Sequence, residues 1–231
     1  MCGHCGCDPP EPGPALEPIQ RITLQQGLLD RNDAQANRNR AHFEAQGLQV
    51  VNLLSAPGSG KTALLEQLAG RWPRPPIGVI VGDLATDNDS QRLLKAGARA
   101  VQIRTGSLCH LDADLVHQAL HQLDCRGLDL LVIENVGNLV CPTAFDLGEG
   151  RRLALLSVTE GEDKPLKYPA LFQSVDAVVI NKIDLAAAVE FDRDRAIANL
   201  DAIAPQAQRF ELSARTGSGL ESLIDWLSAV G

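Results

Sequence analysis

Apolar runs recur along this chain at residues 50–54, 77–82, 99–103, 128–134, 152–158, 175–180 and 207–212, and the stretches between them carry apolar positions at helical spacing. The runs at 50–54, 77–82 and 175–180 are largely apolar instead of alternating, which is the pattern of strands covered on both faces. Strands alternating with helices over this length predict an α/β fold, a mostly parallel sheet flanked by helices. Residues 1–18 break the rhythm. The segment Asp8-Pro9-Pro10-Glu11-Pro12-Gly13-Pro14 cannot form a helix and reads as a stiff, exposed spacer. Two parts are therefore expected: a tail with a Pro-rich linker over residues 1–18, and one folded domain with an N-terminal helical extension over residues 19–231.

The first run feeds directly into Ser55-Ala56-Pro57-Gly58-Ser59-Gly60-Lys61-Thr62, followed by a helical signal from Ala63 to Leu68. A strand, a small-residue loop and a helix in that order form a phosphate cradle: backbone N–H groups turn onto the anion and the helix N-terminus faces it. Pro57, Gly58, Ser59, Gly60, Lys61, Thr62 and Ala63 are the expected phosphate contacts. Lys61 supplies a point charge to the outer phosphates, and the hydroxyl of Thr62 is placed to ligate Mg²⁺. Such loops usually begin with Gly, whereas this one begins with Ser55. The run at 175–180 ends in Asn181-Lys182-Ile183-Asp184, the NKxD pattern of guanine recognition. A carboxylate at Asp184 accepts from both the ring N–H and the exocyclic amine of guanine, which adenine lacks. Ser213-Ala214-Arg215, after the last run, matches the loop whose backbone amide meets the guanine carbonyl, with Arg215 in place of Lys. The nucleotide is thus expected to be GTP, with GDP as product.

Two carboxylates fall at strand ends, where ligands bind in sheets of this kind: Asp83 and Glu134. Either would hold Mg²⁺ through water or orient the attacking water, Asp83 being the expected metal partner. Gly137, three residues past Glu134, is placed to offer its N–H to the γ-phosphate. Composition then limits the partners. The 231 residues carry a net charge of −8, which disfavours nucleic acid or an anionic membrane. No apolar stretch reaches the length of a membrane span and residues 1–18 lack the apolar core of a secretory signal, so the expected location is cytoplasmic.

Cysteine usage adds a second chemistry. Three of the six cysteines, Cys2, Cys5 and Cys7, lie within the first seven residues, with His4 between them. In a reducing compartment, clustered thiols read as a soft metal site, suited to nickel, zinc or copper(I). Further along, adjacent Cys109 and His110 precede a helix expected from Asp112 to Gln122, and Cys141 follows Gly137 by four residues. Cys109 and His110 form a plausible half site with Cys141 as a third ligand, while Cys125 reads as a small core hydrophobe.

The set formed by Cys2-Gly3-His4-Cys5-Gly6-Cys7, the phosphate loop, Gly82–Asp89, Ser107–Ala113, Glu134–Pro142, Asp163–Pro169 and Asn181–Asp184 resembles the HypB family of nickel-incorporation GTPases. The resemblance spans Cys2 to about Ile224. It implies a P-loop GTPase of the SIMIBI class that forms a GTP-promoted homodimer, delivers nickel during maturation of [NiFe]-hydrogenase, and meets a HypA-like nickel chaperone and the hydrogenase large subunit. By the same resemblance Cys2, Cys5 and Cys7 are the tight nickel site, and Cys109, His110 and Cys141 form a weaker nickel or zinc site at the dimer interface. The five histidines, at 4, 42, 110, 117 and 121, do not make the polyhistidine stretch that some members carry for storage. Two other readings remain: a nickel-delivery GTPase for urease, and a metal storage or sensor protein on a P-loop scaffold.

Overall fold

Seven strands, β1 (Gln49–Ser55), β2 (Gly78–Asp83), β3 (Arg99–Arg104), β4 (Leu130–Glu134), β5 (Arg151–Ser157), β6 (Ala177–Asn181) and β7 (Gln208–Glu211), form one sheet in the order β3-β2-β4-β1-β5-β6-β7. The computed structural model describes residues 18–74, 76–83, 88–106 and 108–229. Every pairing among these strands is parallel. The helices are α1 (Pro18–Ala45), α2 (Lys61–Arg71), α3 (Asn88–Lys95), α4 (Ala113–Leu120), α5 (Lys164–Lys167), α6 (Pro169–Gln173), α7 (Arg193–Ile203) and α8 (Leu220–Ser228).

Apolar residues of the central strand enter different cores, which is why its sequence is largely apolar on both faces. Val51 and Leu53 pack with Leu64, Leu65 and Leu68 of α2 and with Leu220 and Leu223 of α8. Val50 joins Phe43 of α1 and Val116 of α4, and Leu54 joins Phe172 of α6 and Leu200 of α7. Each such side chain, removed from water on folding, contributes about 1.5–3 kcal/mol. The consequence for the site is rigidity: β1 and β4 deliver their carboxyl ends from the middle of a sheet clamped on both sides.

The long helix α1 is fastened through amides. Asn39 is fully buried and donates to the carbonyls of Ala113 (2.9 Å) and Leu147 (3.1 Å), while Asn32 accepts from the Ala113 amide at 2.9 Å and donates to the Asp146 carbonyl at 2.8 Å. These contacts tie α1 to the start of α4. Gly148, at φ 91°, lets the chain pass α1 so closely that a Cβ there would fall 2.6 Å from the Ala36 carbonyl.

Boundaries differ from the sequence reading in small ways. The helix expected over 112–122 is Ala113–Leu120, because Asp112 stands outside it as the cap, its carboxylate accepting from the Leu115 amide at 2.8 Å. The strand expected from 128 begins at Leu130, since Leu128 closes a turn onto the Cys125 carbonyl. β6 runs on to Asn181, paired with Ser157, while Val175 is buried but precedes the strand. Cys2, Cys5, Cys7, His4 and the Pro-rich spacer lie outside the described residues. Among the described residues no helix is long and apolar enough to cross a membrane.

Candidate functional site

At the carboxyl edge of the sheet, a cleft of about 400 Å³ is lined by Pro57, Gly58, Gly60, Lys61, Thr62 and Ala63, together with Gly82, Asp83, Asp89, Arg92, Glu134, Val136 and Gly137. The loop that forms its floor depends on two glycines in the left-handed region, Gly58 at φ 73° and Gly60 at φ 102°. Gly60 is doubly constrained, because a Cβ there would meet the Asn181 amide nitrogen at 2.6 Å. α2 begins immediately after it, so its unpaired N–H groups face the cleft.

Ser55, the departure from the usual pattern, has a structural role. Its hydroxyl is buried and donates to the Ala56 carbonyl (2.8 Å) while accepting from the Ser59 hydroxyl (2.6 Å) and the Lys61 ammonium (2.9 Å). One donor and two lone pairs are all used. Ser55 therefore holds Lys61 in place, and burial pushes the Lys61 pKa below the usual lysine range against the favourable charge of Glu134.

Of the two strand-end carboxylates, Glu134 is the one in contact with Thr62, whose hydroxyl donates to its Oε1 at 3.1 Å. Asp83 lines the same cleft. The other Glu134 oxygen, Oε2, is buried with no hydrogen-bond partner among the described residues, and burial raises the Glu134 pKa to about 7 in spite of Lys61 and Thr62. A buried, unpartnered oxygen beside a hydroxyl and a second carboxylate is an all-oxygen donor set, which fits a hard divalent ion such as Mg²⁺.

Asn181 joins this end of the cleft to the base-recognition loops. Its amide donates to the Ser59 carbonyl and its carbonyl accepts from the Ala214 amide, both at 2.9 Å. Lys182 adopts φ 64°, uncommon for a residue with a side chain, and its ammonium reaches the Gly58 carbonyl at 2.7 Å. Asp184 lies 3.9 Å from Arg215, whose side chain is far more exposed. Ser213 is fully buried and its hydroxyl accepts from the Thr216 amide at 3.2 Å, which closes the loop that presents Ala214. The residues expected to contact nucleotide thus converge on one sheet edge, from the ends of β1, β6 and β7.

The cysteine and histidine positions converge beside it. The Cys109 thiol lies 3.6 Å from the His110 Nδ1, and interaction with the neighbouring Cys141 thiol raises its pKa. The three do not form a closed set: among the described residues no group of three or more His, Cys, Asp or Glu side chains is arranged to hold a metal. The His110 ring is stacked on Phe145 at 3.9 Å between centroids. Cys125 is half-buried against the α1–α4 core, as expected of a small hydrophobe.

A buried amide connects the two regions. The Asn135 Oδ1 accepts from the Leu111 amide (3.1 Å), next to His110, and from the Val136 amide (2.9 Å). Its own amide donates to Asn52 at 3.3 Å, and Asn52 donates to Glu149 at 3.1 Å. Two residues on, a Cβ at Gly137 would fall 3.0 Å from the Pro57 Cα, so the segment lies directly against the phosphate loop. Asn135, Asp89 and Arg92 were not among the predicted contacts. A single amide, Asn52, inside the apolar run 50–54 was the one signal of this network in the sequence.

A parallel sheet that presents a phosphate loop after its central strand and NKxD at the end of a neighbouring one defines a nucleotide-binding protein with the P-loop GTPase (SIMIBI) fold. The family described as CobW/HypB/UreG, nucleotide-binding domain, matches residues 49–211. The hydrogenase maturation factor HypB of Azotobacter vinelandii is 49% identical over 217 residues, 93% of this chain and 71% of that protein. The hydrogenase/urease maturation factor HypB of Helicobacter pylori is 39% identical over 89% of this chain and 86% of that protein. A crystal structure of HypB from Helicobacter pylori in complex with nickel superposes with a TM-score of 0.81 at 38% identity, covering 86% of this chain and 94% of that one. The chain belongs to the HypB family of hydrogenase maturation factors.

Proposed function

We propose that this chain hydrolyses GTP and uses the nucleotide cycle to bind and release nickel during maturation of [NiFe]-hydrogenase. The observation that carries the reading is the Asn135 bridge, which hydrogen-bonds the loop bearing Cys109 and His110 to the segment that packs on the phosphate loop. In this mechanism the backbone of residues 57–63 and the Lys61 ammonium bind the phosphates, and Asp184, Asn181 and Ala214 select guanine. Thr62, Asp83 and Glu134 would hold Mg²⁺, which neutralises charge on the phosphates. Glu134 or Asp83 orients the attacking water, and the Gly137 N–H meets the γ-phosphate. That contact moves Gly137 against Pro57, and the shift passes through Asn135 and along residues 138–141 to Cys109, His110 and Cys141.

The metal residues sit among exposed apolar neighbours, Leu108 and Val140. Such a patch suits a two-fold contact in which the GTP-bound chains pair and share nickel or zinc between their Cys109, His110 and Cys141 sets. Cys2, Cys5 and Cys7, on the tethered tail, serve as the tight nickel site of a part distinct from the domain at 19–231. A HypA-like chaperone and the hydrogenase large subunit are the expected partners, in the cytoplasm. The Helicobacter pylori relative is a hydrogenase/urease maturation factor, so urease is the second client reading.

The test measures nickel and zinc affinity of the chain lacking residues 1–7, with GDP and with a non-hydrolysable GTP analogue, beside turnover of GTP and ATP. Linkage requires nucleotide and metal to alter each other's affinity by one factor. Equal metal affinity in the two nucleotide states, or equal turnover of ATP and GTP, would sink the proposal.

A further inference from the structure

On the exposed face of α4, well clear of the nucleotide cleft, His117 and His121 bring their Nε2 atoms to 3.3 Å, with ring centroids 4.8 Å apart at 81°. Both rings are exposed to solvent. Residues four apart share a helix face, and two histidines at that spacing are a standard way for one helix to grip zinc. The separation itself carries information. Two zinc–nitrogen bonds of about 2.05 Å spanning 3.3 Å subtend roughly 107°, close to the tetrahedral angle zinc adopts. An octahedral ion such as nickel, with bonds near 2.1 Å at right angles, would need the nitrogens about 3.0 Å apart, a small rotation for exposed rings. The surroundings also favour a cation. His121 is the C-cap of α4, where the unpaired carbonyls of the helix end give partial negative charge, and the whole chain carries −8.

We infer that His117 and His121 form a further, two-histidine surface site for a first-row divalent cation, zinc or nickel, with water completing the coordination. The site binds and does not catalyse: in the helical zinc motif that hydrolyses peptides, the residue after the first histidine is a glutamate acting as general base, and here it is Gln118. With only two protein ligands it exchanges its ion readily. α4 begins at Ala113, three residues after His110, and His117 lies about 6 Å further along the helix by helical rise. That spacing makes the pair a staging point for an ion moving to or from the internal cysteines. The staging role rests on the nickel-delivery reading; the binding does not.

The experiment titrates zinc, and separately nickel, into the full chain with Cys2, Cys5, Cys7, Cys109 and Cys141 replaced by serine, with and without His117→Ala and His121→Ala. The expected result is one weakly held ion whose affinity falls about tenfold or more on loss of either imidazole, since even outer partners of metal ligands are worth 10–100-fold. NMR shifts of the two imidazoles, and of no other histidine pair, should follow the titration. If the serine variant does not fold, the same double alanine change in the otherwise unaltered chain should lower the zinc count at saturation by one. GTP turnover is expected to be unchanged by the double alanine change in the otherwise unaltered chain, which separates loss of this ion from damage to the nucleotide cleft. Unchanged stoichiometry and affinity in the double alanine variant would show that the two rings only hydrogen-bond to each other, and would overturn the assignment.

Discussion

Replacing Asn135 by alanine tests the bridge between the two halves of the site. The side chain is fully buried and its Oδ1 is the acceptor for both the Leu111 and the Val136 amides, at 3.1 and 2.9 Å. Alanine leaves both N–H groups buried without that acceptor, at roughly 1–3 kcal/mol each. The third bond, to Asn52 at 3.3 Å, is long, and the Asn52 amide keeps its bond to Glu149, so its loss adds little. The sum is about 2–6 kcal/mol, against a total of ~5–15 kcal/mol for a domain of ordinary stability. The protein should stay folded, unfold at lower urea with an unchanged slope, and bind GTP. What it should lose is coupling: with residues 1–7 removed, nickel affinity in the GDP state and in the GTP-analogue state should become equal. Asn135→Asp keeps both acceptor bonds, and should retain coupling even though a buried carboxylate lowers its stability. A destabilisation under 1 kcal/mol would refute the energetic argument, and coupling that survives Asn135→Ala would refute the route.

Other outcomes follow from single contacts. Gly60→Ala forces a Cβ to within 2.6 Å of the Asn181 amide at φ 102°, a cost of order 1–3 kcal/mol, and should weaken GTP binding in isothermal titration; wild-type affinity would mean the loop relaxes freely. Asp184→Asn should move nucleotide preference from guanosine toward xanthosine triphosphate, read as a reversed ratio of kcat/KM, and no change in that ratio would remove Asp184 from base recognition. Burial raises Glu134 from an ordinary 4.5 to about 7. The unfolded chain gives up that proton near 4.5 and the folded chain keeps it to about 7, so stability without nucleotide falls as pH rises through that window and then levels. Glu134→Gln should flatten the fall, worth about 3 kcal/mol, in denaturant melts between pH 5 and pH 8; an undiminished slope would assign the effect to another group.

Local rules written into consecutive residues determined much of this protein. The strand, loop and helix around Ser55–Thr62 read as a phosphate cradle because each residue's constraint is local: Gly58 and Gly60 for backbone sign, Lys61 for charge, Thr62 for a hydroxyl at the helix start. Asn181–Asp184 was legible for the same reason, and the largely apolar runs of the inner strands announced a parallel sheet because both faces of those strands had to be covered. Tertiary structure alone decided how these pieces meet. The strand order places Glu134 of β4 beside Thr62, 72 residues earlier, with Asp83 of β2 lining the same cleft. α1 gave little apolar stripe to read, because besides Ala36 and Phe43 it docks through Asn32 and Asn39, whose partners come from Ala113, Asp146 and Leu147. Asn135 looks in sequence like any polar residue after a strand. Only folding, by burying it between Leu111 and Asn52, turns one amide into the link between the nucleotide cleft and the Cys109-His110 loop.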